Sequence, residues 1–461
     1  MKLSDLVDFN PKRALKKGVY ASFVEMASLP ENGRDISNIG NKIFTGNGSK
    51  FSNGDTLFAR ITPCLENGKT SLVSGLLDNE VAFGSTEFIV LSAKEPEYDS
   101  NYIYYFSRLS EFRSFAQSRM EGTSGRQRVA WQALADYEYE FPSKAYRKYA
   151  GELLKKFDDK ILLNHQVNHT LEQMAQSLFK SWFVDFKPVK AKIAVLEAGG
   201  SQDDATLAAM TAISGKDANS LAVFEREHPE KYAGLRATAE LFPTTMQESE
   251  LGDIPEGWTI DNLGTIIEFN PKRILKKGIN APYLDMKNVP VKGHSVQDVV
   301  CREVTSGTKF KNGDTLLARI TPCLENGKTA FVDFLSSNDT VGWGSTEFIV
   351  MRVKRDLPLS ISYFIARLES FRITAIQSMQ GTSGRQRADA GVLQNMPWII
   401  PPDELLVKFG KFSNFVIDNN RVKHNQNTLL SQLRDTLLPK LLSGEITLPE
   451  AEEIAKEADY V

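Results

Sequence analysis

The stretch that decides the fold is ARITPCLENGK, residues 59–69, because it recurs without a change at residues 318–328, about 259 positions later. Other blocks recur around it in the same order: residues 9–13 with 269–273, 53–55 with 312–314, 84–90 with 344–350, and 122–128 with 381–387. Solenoid repeats have periods of roughly 20 to 50 residues, so this period excludes a solenoid. The sequence therefore predicts two autonomous domains of one kind, which read or bind something twice.

Length and composition are those of an ordinary globular protein with room for two cores. The chain has 461 residues, of which 41% are hydrophobic and 25% charged, and no apolar run approaches the roughly 20 residues of a membrane span. The N-terminus also lacks the apolar region of a secretory signal. We therefore expect a cytoplasmic protein with no membrane partner.

The three cysteines and the charge distribution narrow the class further. Cys64 and Cys323 are equivalent positions in the two repeats and Cys301 is unmatched, so neither a disulfide framework nor a metal spacing is present and buried thiols are expected. Residues 195–256 hold twelve acidic and four basic side chains, a net charge of −8. Because the whole chain carries −3, the remainder carries +5, which is only weak evidence for a polyanionic partner.

The spacing of apolar residues predicts a mixed α+β domain in each repeat. Residues 56–61 and 88–91 are typical of strands. Residues 102–119, and 362–379 in the second copy, have apolar side chains at helical spacing and predict one amphipathic helix each.

A long helix is predicted after each repeat. The segment 144–183 contains no proline and a single glycine, and its apolar residues alternate spacings of three and four. The segment from residue 402 to about 442 has a similar pattern. Because an apolar stripe must be packed to stabilise a helix, we expect the two helices to pair as an antiparallel coiled coil with pseudo-twofold symmetry. Asn164 and Asn168 lie on the seam, where they either set the register or face solvent.

These observations divide the chain into six segments: the first repeat domain at 1–143, a long helix at 144–186, an acidic connector at 187–250, the second repeat domain at 251–401, a second long helix at 402–446 and a tail at 447–461.

A search for catalytic signatures finds no phosphate-binding loop, dinucleotide fingerprint, zinc-protease motif or paired CxxC. His165 and His169 are four residues apart but lack an acidic or cysteine companion, so metal ligation is disfavoured. We predict no catalytic residues, no metal site and no cofactor site in this chain.

The repeated polar blocks are better suited to nucleic-acid recognition, since arginine, lysine, asparagine and glutamine are the side chains that contact phosphates and base edges. The candidate DNA-binding residues are Lys12, Arg13, Arg60, Asn67, Lys69, Arg126, Gln127 and Arg128 in the first copy, and Lys272, Arg273, Arg319, Asn326, Lys328, Arg385, Gln386 and Arg387 in the second. The alternative for the GTSGRQR loop, residues 122–128 and 381–387, is a structural turn whose arginines form surface ion pairs. Two other classes of protein stay open at this point: a self-contained enzyme and a coiled-coil scaffold without DNA recognition.

Three further segments resemble the specificity subunits of type I restriction-modification systems. They are NHTLEQMAQSLFKSWFVDF at 168–186, LGDIPEGW at 251–258 and LSQLRDTLLPKLLSGEI at 430–446. The resemblance covers nearly the whole chain, as two target recognition domains each followed by a long helix. The chain departs from the family in two places: the first domain lacks the IPEGW lead, and the connector at 184–250 is longer than the family minimum.

The resemblance implies a non-catalytic reader of double-stranded DNA that selects a bipartite site. Such subunits hold two methyltransferase subunits and, in the restriction complex, two motor-nuclease subunits. S-adenosylmethionine, ATP and magnesium would then be bound by those partners. The methyltransferases would modify adenine on each strand. Because the recognition motifs of the two copies are identical, we expect nearly palindromic half-sites.

Overall fold

A computed structural model describes residues 1–123, 125–381 and 385–446, and its contacts divide the chain into two units. Unit 1 comprises Met1–Asn164 and Asn425–Val461, and unit 2 comprises His165–His424. Both long helices contribute residues to each unit, so each domain is completed by a segment that is distant in sequence. The predicted tail at 447–461 lies outside the described residues.

Unit 1 contains two four-stranded sheets. One has the order β1-β8-β5-β6 and is antiparallel, with Thr56 opposite Leu91; the other has the order β3-β2-β7-β4, in which β2 and β7 are parallel. A short pair, β9 with β10, lies in the 122–128 region. The strands are β1 (Val7–Phe9), β2 (Tyr20–Val24), β3 (Gly40–Ile43), β4 (Ser49–Phe51), β5 (Thr56–Ala59), β6 (Thr70–Leu72), β7 (Ala82–Gly84), β8 (Phe88–Ala93), β9 (Met120–Glu121) and β10 (Arg128–Val129).

Strand β8 is apolar from Phe88 to Leu91 because both of its faces are covered there. Side chains alternate across a strand, and here Phe88 and Val90 enter one hydrophobic cluster whereas Ile89 and Leu91 enter another. The strand predicted at 88–91 is therefore confirmed. The strand predicted at 56–61 is also confirmed as β5, although it ends at Ala59.

The helices of unit 1 are α1 (Pro96–Phe106), α2 (Ser110–Ser118), α3 (Trp131–Ala135) and the first part of α4 (Lys144–Phe183). The single helix predicted at 102–119 is wrong, because the chain breaks between α1 and α2. Leu109 has an extended backbone, φ −55° and ψ 131°. The break turns the chain so that Phe106 and Phe112 enter the same core, with ring centroids 5.2 Å apart. The spacing of apolar residues does not reveal this turn, because the apolar side chains of α1 and α2 enter the same hydrophobic core.

Unit 2 repeats this architecture with sheet orders β14-β21-β18-β19 and β16-β15-β20-β17. The helix predicted at 362–379 is again two helices, α9 and α10, separated by the extended Leu368. The elements are α5 (Lys187–Glu197), α6 (Gln202–Ser214), α7 (Ala218–Glu227), α8 (Pro229–Glu240), β11 (Met246–Gln247), β12 (Ile254–Pro255), β13 (Thr259–Asn262), β14 (Ile267–Phe269), β15 (Asn280–Leu284), β16 (Val300–Glu303), β17 (Thr308–Phe310), β18 (Thr315–Ala318), β19 (Thr329–Phe331), β20 (Gly342–Gly344), β21 (Phe348–Val353), α9 (Ile361–Arg367), α10 (Glu369–Gln377), α11 (Ala390–Gln394), β22 (Pro397–Ile400) and α12 (Asp403–Ser443).

The acidic segment predicted as a connector is a small helical subdomain. It contains four helices, of which α6, α7 and α8 bury Ala209, Met210, Leu221 and Ala239 in a cluster of their own. Helix α5 instead contributes Val189 to the main core of unit 2. Helix α6 begins with a capping box, in which Ser201 accepts a hydrogen bond from the backbone of Asp204. Alanine and the cap residues explain the helices, since both favour helix formation. The loose composition of this segment therefore reflects small helix-forming residues and not an extended linker.

The two long helices run antiparallel within each unit. In unit 1, Arg434 of α12 pairs with Asp158 of α4, and Asn164 donates to the side chain of Asn427 at 2.8 Å. In unit 2, Asn168 donates to the Asn420 carbonyl at 3.3 Å, and the rings of Phe179 and Phe409 are 5.2 Å apart. In both units the residue number on α12 falls as that on α4 rises. The predicted α+β class with two long paired helices is confirmed.

Asn164 settles one alternative left open by the sequence. Its side chain is 1% exposed, so the solvent-facing interpretation is wrong for this residue. Its amide also donates to Gln426 at 2.9 Å. Because a buried amide costs stability unless its partner is in place, these hydrogen bonds favour a single register of the helix pair.

Candidate nucleic-acid interface

The repeated ARITPCLENGK segment forms a closed loop between β5 and β6 in unit 1. The amide of Asn67 donates to the Pro63 carbonyl at 2.8 Å, and that of Lys69 donates to Cys64 at 3.0 Å. Gly68, with φ +88°, allows the tight turn back into β6. The loop between β18 and β19 repeats these bonds, since Asn326 donates to Pro322 at 2.9 Å. Backbone hydrogen bonds hold the loop in a fixed conformation.

The predicted DNA-binding residues of this loop differ in whether their side chains are free to contact a ligand. Asn67 and Asn326 are exposed. The Lys69 ammonium donates to the Met26 carbonyl at 3.1 Å, and that of Lys328 donates to Met286 at 2.8 Å. The lysines thus tie each loop to a 3₁₀ turn, Met26–Ser28 in unit 1 and Met286–Asn288 in unit 2. The asparagines are open to a ligand.

The two most strongly repeated motifs lie side by side, although 52 residues separate them in the sequence of each copy. In unit 1, the amide of Thr62 donates to the Gln127 carbonyl at 3.1 Å, and that of Val129 donates to the Arg60 carbonyl at 3.0 Å. In unit 2, Thr321 donates to Gln386 at 3.1 Å and Ala388 to Arg319 at 2.8 Å. The fold therefore unites the ARITPCLENGK and GTSGRQR motifs into one surface in each unit.

An ion pair anchors the GTSGRQR loop. The guanidinium of Arg128 contacts Glu87 through Nε, at 3.0 and 2.9 Å, and through Nη2, at 2.8 Å. Arg387 and Glu347 repeat the arrangement with an Nη2 distance of 2.7 Å. Hydrogen bonding to the carboxylate, followed by its charge, raises the pKa of each arginine above its ordinary value. The ion pairs anticipated for a structural turn are thus present at this arginine.

Other parts of the loop remain as predicted binding candidates. Arg126 and Arg385 are exposed, and Gln127 and Gln386 are half-buried. Ser124 and residues 382–384 of the same loops lie outside the described residues.

Each Asn-Pro-Lys-Arg block contains an arginine that forms an ion pair and a lysine that is exposed. Arg13 donates through Nη2 to the buried carboxylate of Asp55 at 2.9 Å, and Arg273 donates to Asp314 at 3.0 Å. Lys12 and Lys272 are exposed. Because Asp55 and Asp314 are 2% and 0% exposed, each carboxylate requires a cationic partner, so these guanidinium groups stabilise the fold whatever else they bind. Asp314 also accepts from Arg352 at 2.9 Å.

A cleft of about 360 Å³ in unit 1 brings together cations from three separate segments. Lys12, Arg13, Lys50 and Arg60 are the cations of its lining. Lys50 was not a sequence candidate. The signal was present, since Lys50-Phe51 recurs as Lys309-Phe310, but these residues end a stretch that otherwise diverges between the copies.

The expectations for metal ligands and for cysteine burial concern particular side chains of the described residues. That part contains no group of three or more His, Cys, Asp or Glu side chains able to hold a metal ion. Cys64 and Cys323 are half-buried and Cys301 is exposed, so the expectation of three buried thiols is wrong. Among the described helices, none combines the length and apolarity required to cross a bilayer.

Comparisons with known proteins find relatives of one kind, the specificity subunits of type I restriction enzymes. No family model matches the chain. The chain is 28% identical over 431 residues to the type I restriction enzyme HindI specificity subunit of Haemophilus influenzae, covering 89% of this chain and 90% of that protein. It is 23% identical over 363 residues to the MjaIX specificity subunit of Methanocaldococcus jannaschii, covering 76% and 70%. It is 26% identical over 229 residues to the EcoAI specificity subunit of Escherichia coli, covering 47% and 38%.

Solved structures of the same class are similar at a lower level. The S subunit from M. genitalium has a TM-score of 0.49 and 12% identity, covering 96% of this chain and 95% of that one. A subunit from Thermoanaerobacter tengcongensis has a TM-score of 0.32 and 14% identity, covering 97% and 96%. The resemblance noted from the sequence is confirmed by the curated relatives, which are specificity subunits of type I restriction enzymes.

Proposed function

We propose that this chain is the DNA-recognition subunit of a type I restriction-modification complex. It reads a bipartite, nearly palindromic site in double-stranded DNA and directs adenine methylation and restriction by its partners. The observation that carries the proposal is the union of the two repeated motifs in each unit, where Thr62 bonds to Gln127 and Thr321 to Gln386. One surface of the same donors and acceptors occurs twice, as a reader of two related half-sites requires.

The partners supply the chemistry in this proposal. Two methyltransferase subunits bind S-adenosylmethionine and rotate the target adenine out of the stack, and two motor-nuclease subunits use ATP and magnesium. The chain itself is not an enzyme, holds no cofactor and works in the cytoplasm. Its role is to determine which adenine is presented.

Reconstitution tests this division of labour. The purified chain, given labelled methyl donor, ATP, magnesium and plasmid DNA, should neither methylate nor cleave. Addition of the methyltransferase subunits should give methyl transfer, and further addition of the motor-nuclease subunits should give cleavage. Methyl transfer by this polypeptide alone would overturn the proposal. A reconstituted complex that binds random duplex as tightly as its own methylated site would instead make the chain a scaffold.

A further inference from the structure

The cleft in unit 1 carries positive charge that the protein itself does not neutralise. Its lining includes Lys12, Lys50 and Arg60 and contains no carboxylate. The Lys50 ammonium donates to the Arg13 carbonyl at 3.1 Å, a neutral acceptor that leaves its charge in place. Arg13 is the exception among the cations, because Asp55 pairs with it. Three uncompensated cations in one concavity favour an anionic ligand.

The guanidinium of Arg60 has a hydrogen-bond donor without an acceptor. Its Nε is buried and has no hydrogen-bond partner, and no ion pair or side-chain hydrogen bond involves this residue within the described ranges. Buried donors are nearly always paired in folded proteins. The backbone of Arg60 is fixed, because its amide donates to Glu87 at 3.0 Å and its carbonyl accepts from Val129. Arg60 thus lines the cleft from a fixed backbone position, and the Nε of its guanidinium has no acceptor in the described residues.

The same feature recurs in unit 2. Lys272, Lys309 and Arg319 occupy the equivalent sequence positions, and Arg319 Nε is likewise buried without a partner. Arg273, the counterpart of Arg13, is again paired with an aspartate, Asp314. Two separately folded units therefore keep one arginine neutralised and leave the other available.

We propose that Lys12, Lys50 and Arg60, here called the Arg60 cleft, bind one backbone phosphate of DNA, and that Lys272, Lys309 and Arg319 bind another. A phosphodiester group offers a compact anion with two acceptor oxygens that a guanidinium contacts in bidentate fashion. Phosphate contacts fix register and orientation without reading sequence. The cleft is thus an anchor beside the GTSGRQR loop, and this assignment rests on the proposed function.

The salt dependence of DNA binding tests the assignment. The complex of this chain with its methyltransferase subunits is titrated by fluorescence anisotropy against a duplex carrying its methylated site and against a random duplex. Arg60→Gln should lower affinity for both duplexes by the same factor, about tenfold or more, because a charge-assisted contact is lost. It should also reduce the slope of log K against log salt by about 1, as loss of one phosphate contact does. Lys50→Gln should act in the same direction.

Two variants control for folding and for general charge. Arg60→Lys keeps the charge and should restore the salt slope while recovering only part of the affinity. Lys94→Gln removes an exposed lysine outside the cleft, whose ammonium donates to the Ser4 carbonyl at 2.7 Å, and should leave the slope unchanged. Thermal unfolding of each variant shows whether unit 1 is intact.

The outcomes separate this inference from the proposed function. An unchanged salt slope in a folded Arg60→Gln complex rejects the cleft as a phosphate site. A changed sequence preference with an unchanged slope also rejects it, since Arg60 would then read a base. If the wild-type complex shows no sequence preference but Arg60→Gln still reduces the slope on random duplex, the cleft stands and the proposed function fails.

Discussion

The last part of α12 belongs to the core of unit 1, so a change near the C-terminus should unfold the domain that begins at the N-terminus. Leu441 is completely buried in the cluster that contains Phe106 and Phe112. The hydroxyl of Tyr102, in α1, donates to the Leu442 carbonyl at 2.8 Å. A domain assignment by sequence order alone would place these residues with the second repeat.

Leu441→Ala should destabilise unit 1 by about 3–5 kcal/mol, the cost of a large-to-small change that leaves a cavity. Leu429→Ala is the matched control, because Leu429 lies on the same helix but is 38% exposed, and surface changes usually stay within about 0.5 kcal/mol. Hydrogen exchange followed by mass spectrometry reports the opening of each unit separately. Faster exchange should appear in residues 88–112 of unit 1.

Deletion of residues 430–461 is the stronger form of the same test. It removes five buried leucines from the cluster: Leu430, Leu437, Leu438, Leu441 and Leu442. At about 1.5–3 kcal/mol each the loss is roughly 7–15 kcal/mol, as large as the whole stability of a typical domain. Deletion of 447–461 alone is the control that separates the effect of these leucines from that of the residues that follow them. Full protection of residues 88–112 in the longer deletion would refute this account of the core.

The remaining predictions concern recognition and spacing. Replacing Arg126 and Arg128 with alanine should weaken DNA binding about tenfold or more and impair only the half-site of unit 1; Arg385 and Arg387 should do the same for unit 2. A binding titration of Glu87→Gln separates the two roles of Arg128. A loss of DNA affinity equal to that of the arginine substitutions means that Arg128 orders the loop, and an unchanged affinity means that Arg128 contacts DNA. Inserting four residues, about one turn, at equivalent points in both long helices should lengthen the spacer without changing either half-site; methylome sequencing that shows altered half-sites and an unchanged spacer would reject the helices as a ruler.

The duplication and the apolar periodicity were enough to predict the class of fold, the strands around Leu57 and Val90, and the two long helices. Each of these features is local, since the residues that define it are neighbours in the sequence. The break at Leu109 was missed because the apolar side chains of both flanking helices enter the same core. Helix α6 of the acidic segment was missed because small residues give a weak periodic signal.

The candidate site was predictable as a set of residues but not as an arrangement. Nothing in the spacing of Thr62 and Gln127 specifies their hydrogen bond, because such contacts arise from the packing of separate elements. The partners of Arg13 and Arg128 were also hidden, since an ion pair depends on which carboxylate the fold brings near. For the same reason the sequence did not distinguish these arginines from Arg60, whose Nε lacks a partner.

The central claim is that the two identical motif pairs read the bases of the DNA and that the divergent segments do not. In unit 1 the divergent segment, residues 30–50, includes β3, and in unit 2 the segment 290–309 includes β16. Methylome sequencing of cells that carry this chain with its partner subunits tests the claim most directly. We expect a bipartite site with methylated adenine on each strand and half-sites that are inverted copies, differing at no more than about one or two bases because symmetric readers give symmetric sites. Two half-sites without inverted similarity would contradict the claim and would assign base reading to the divergent segments.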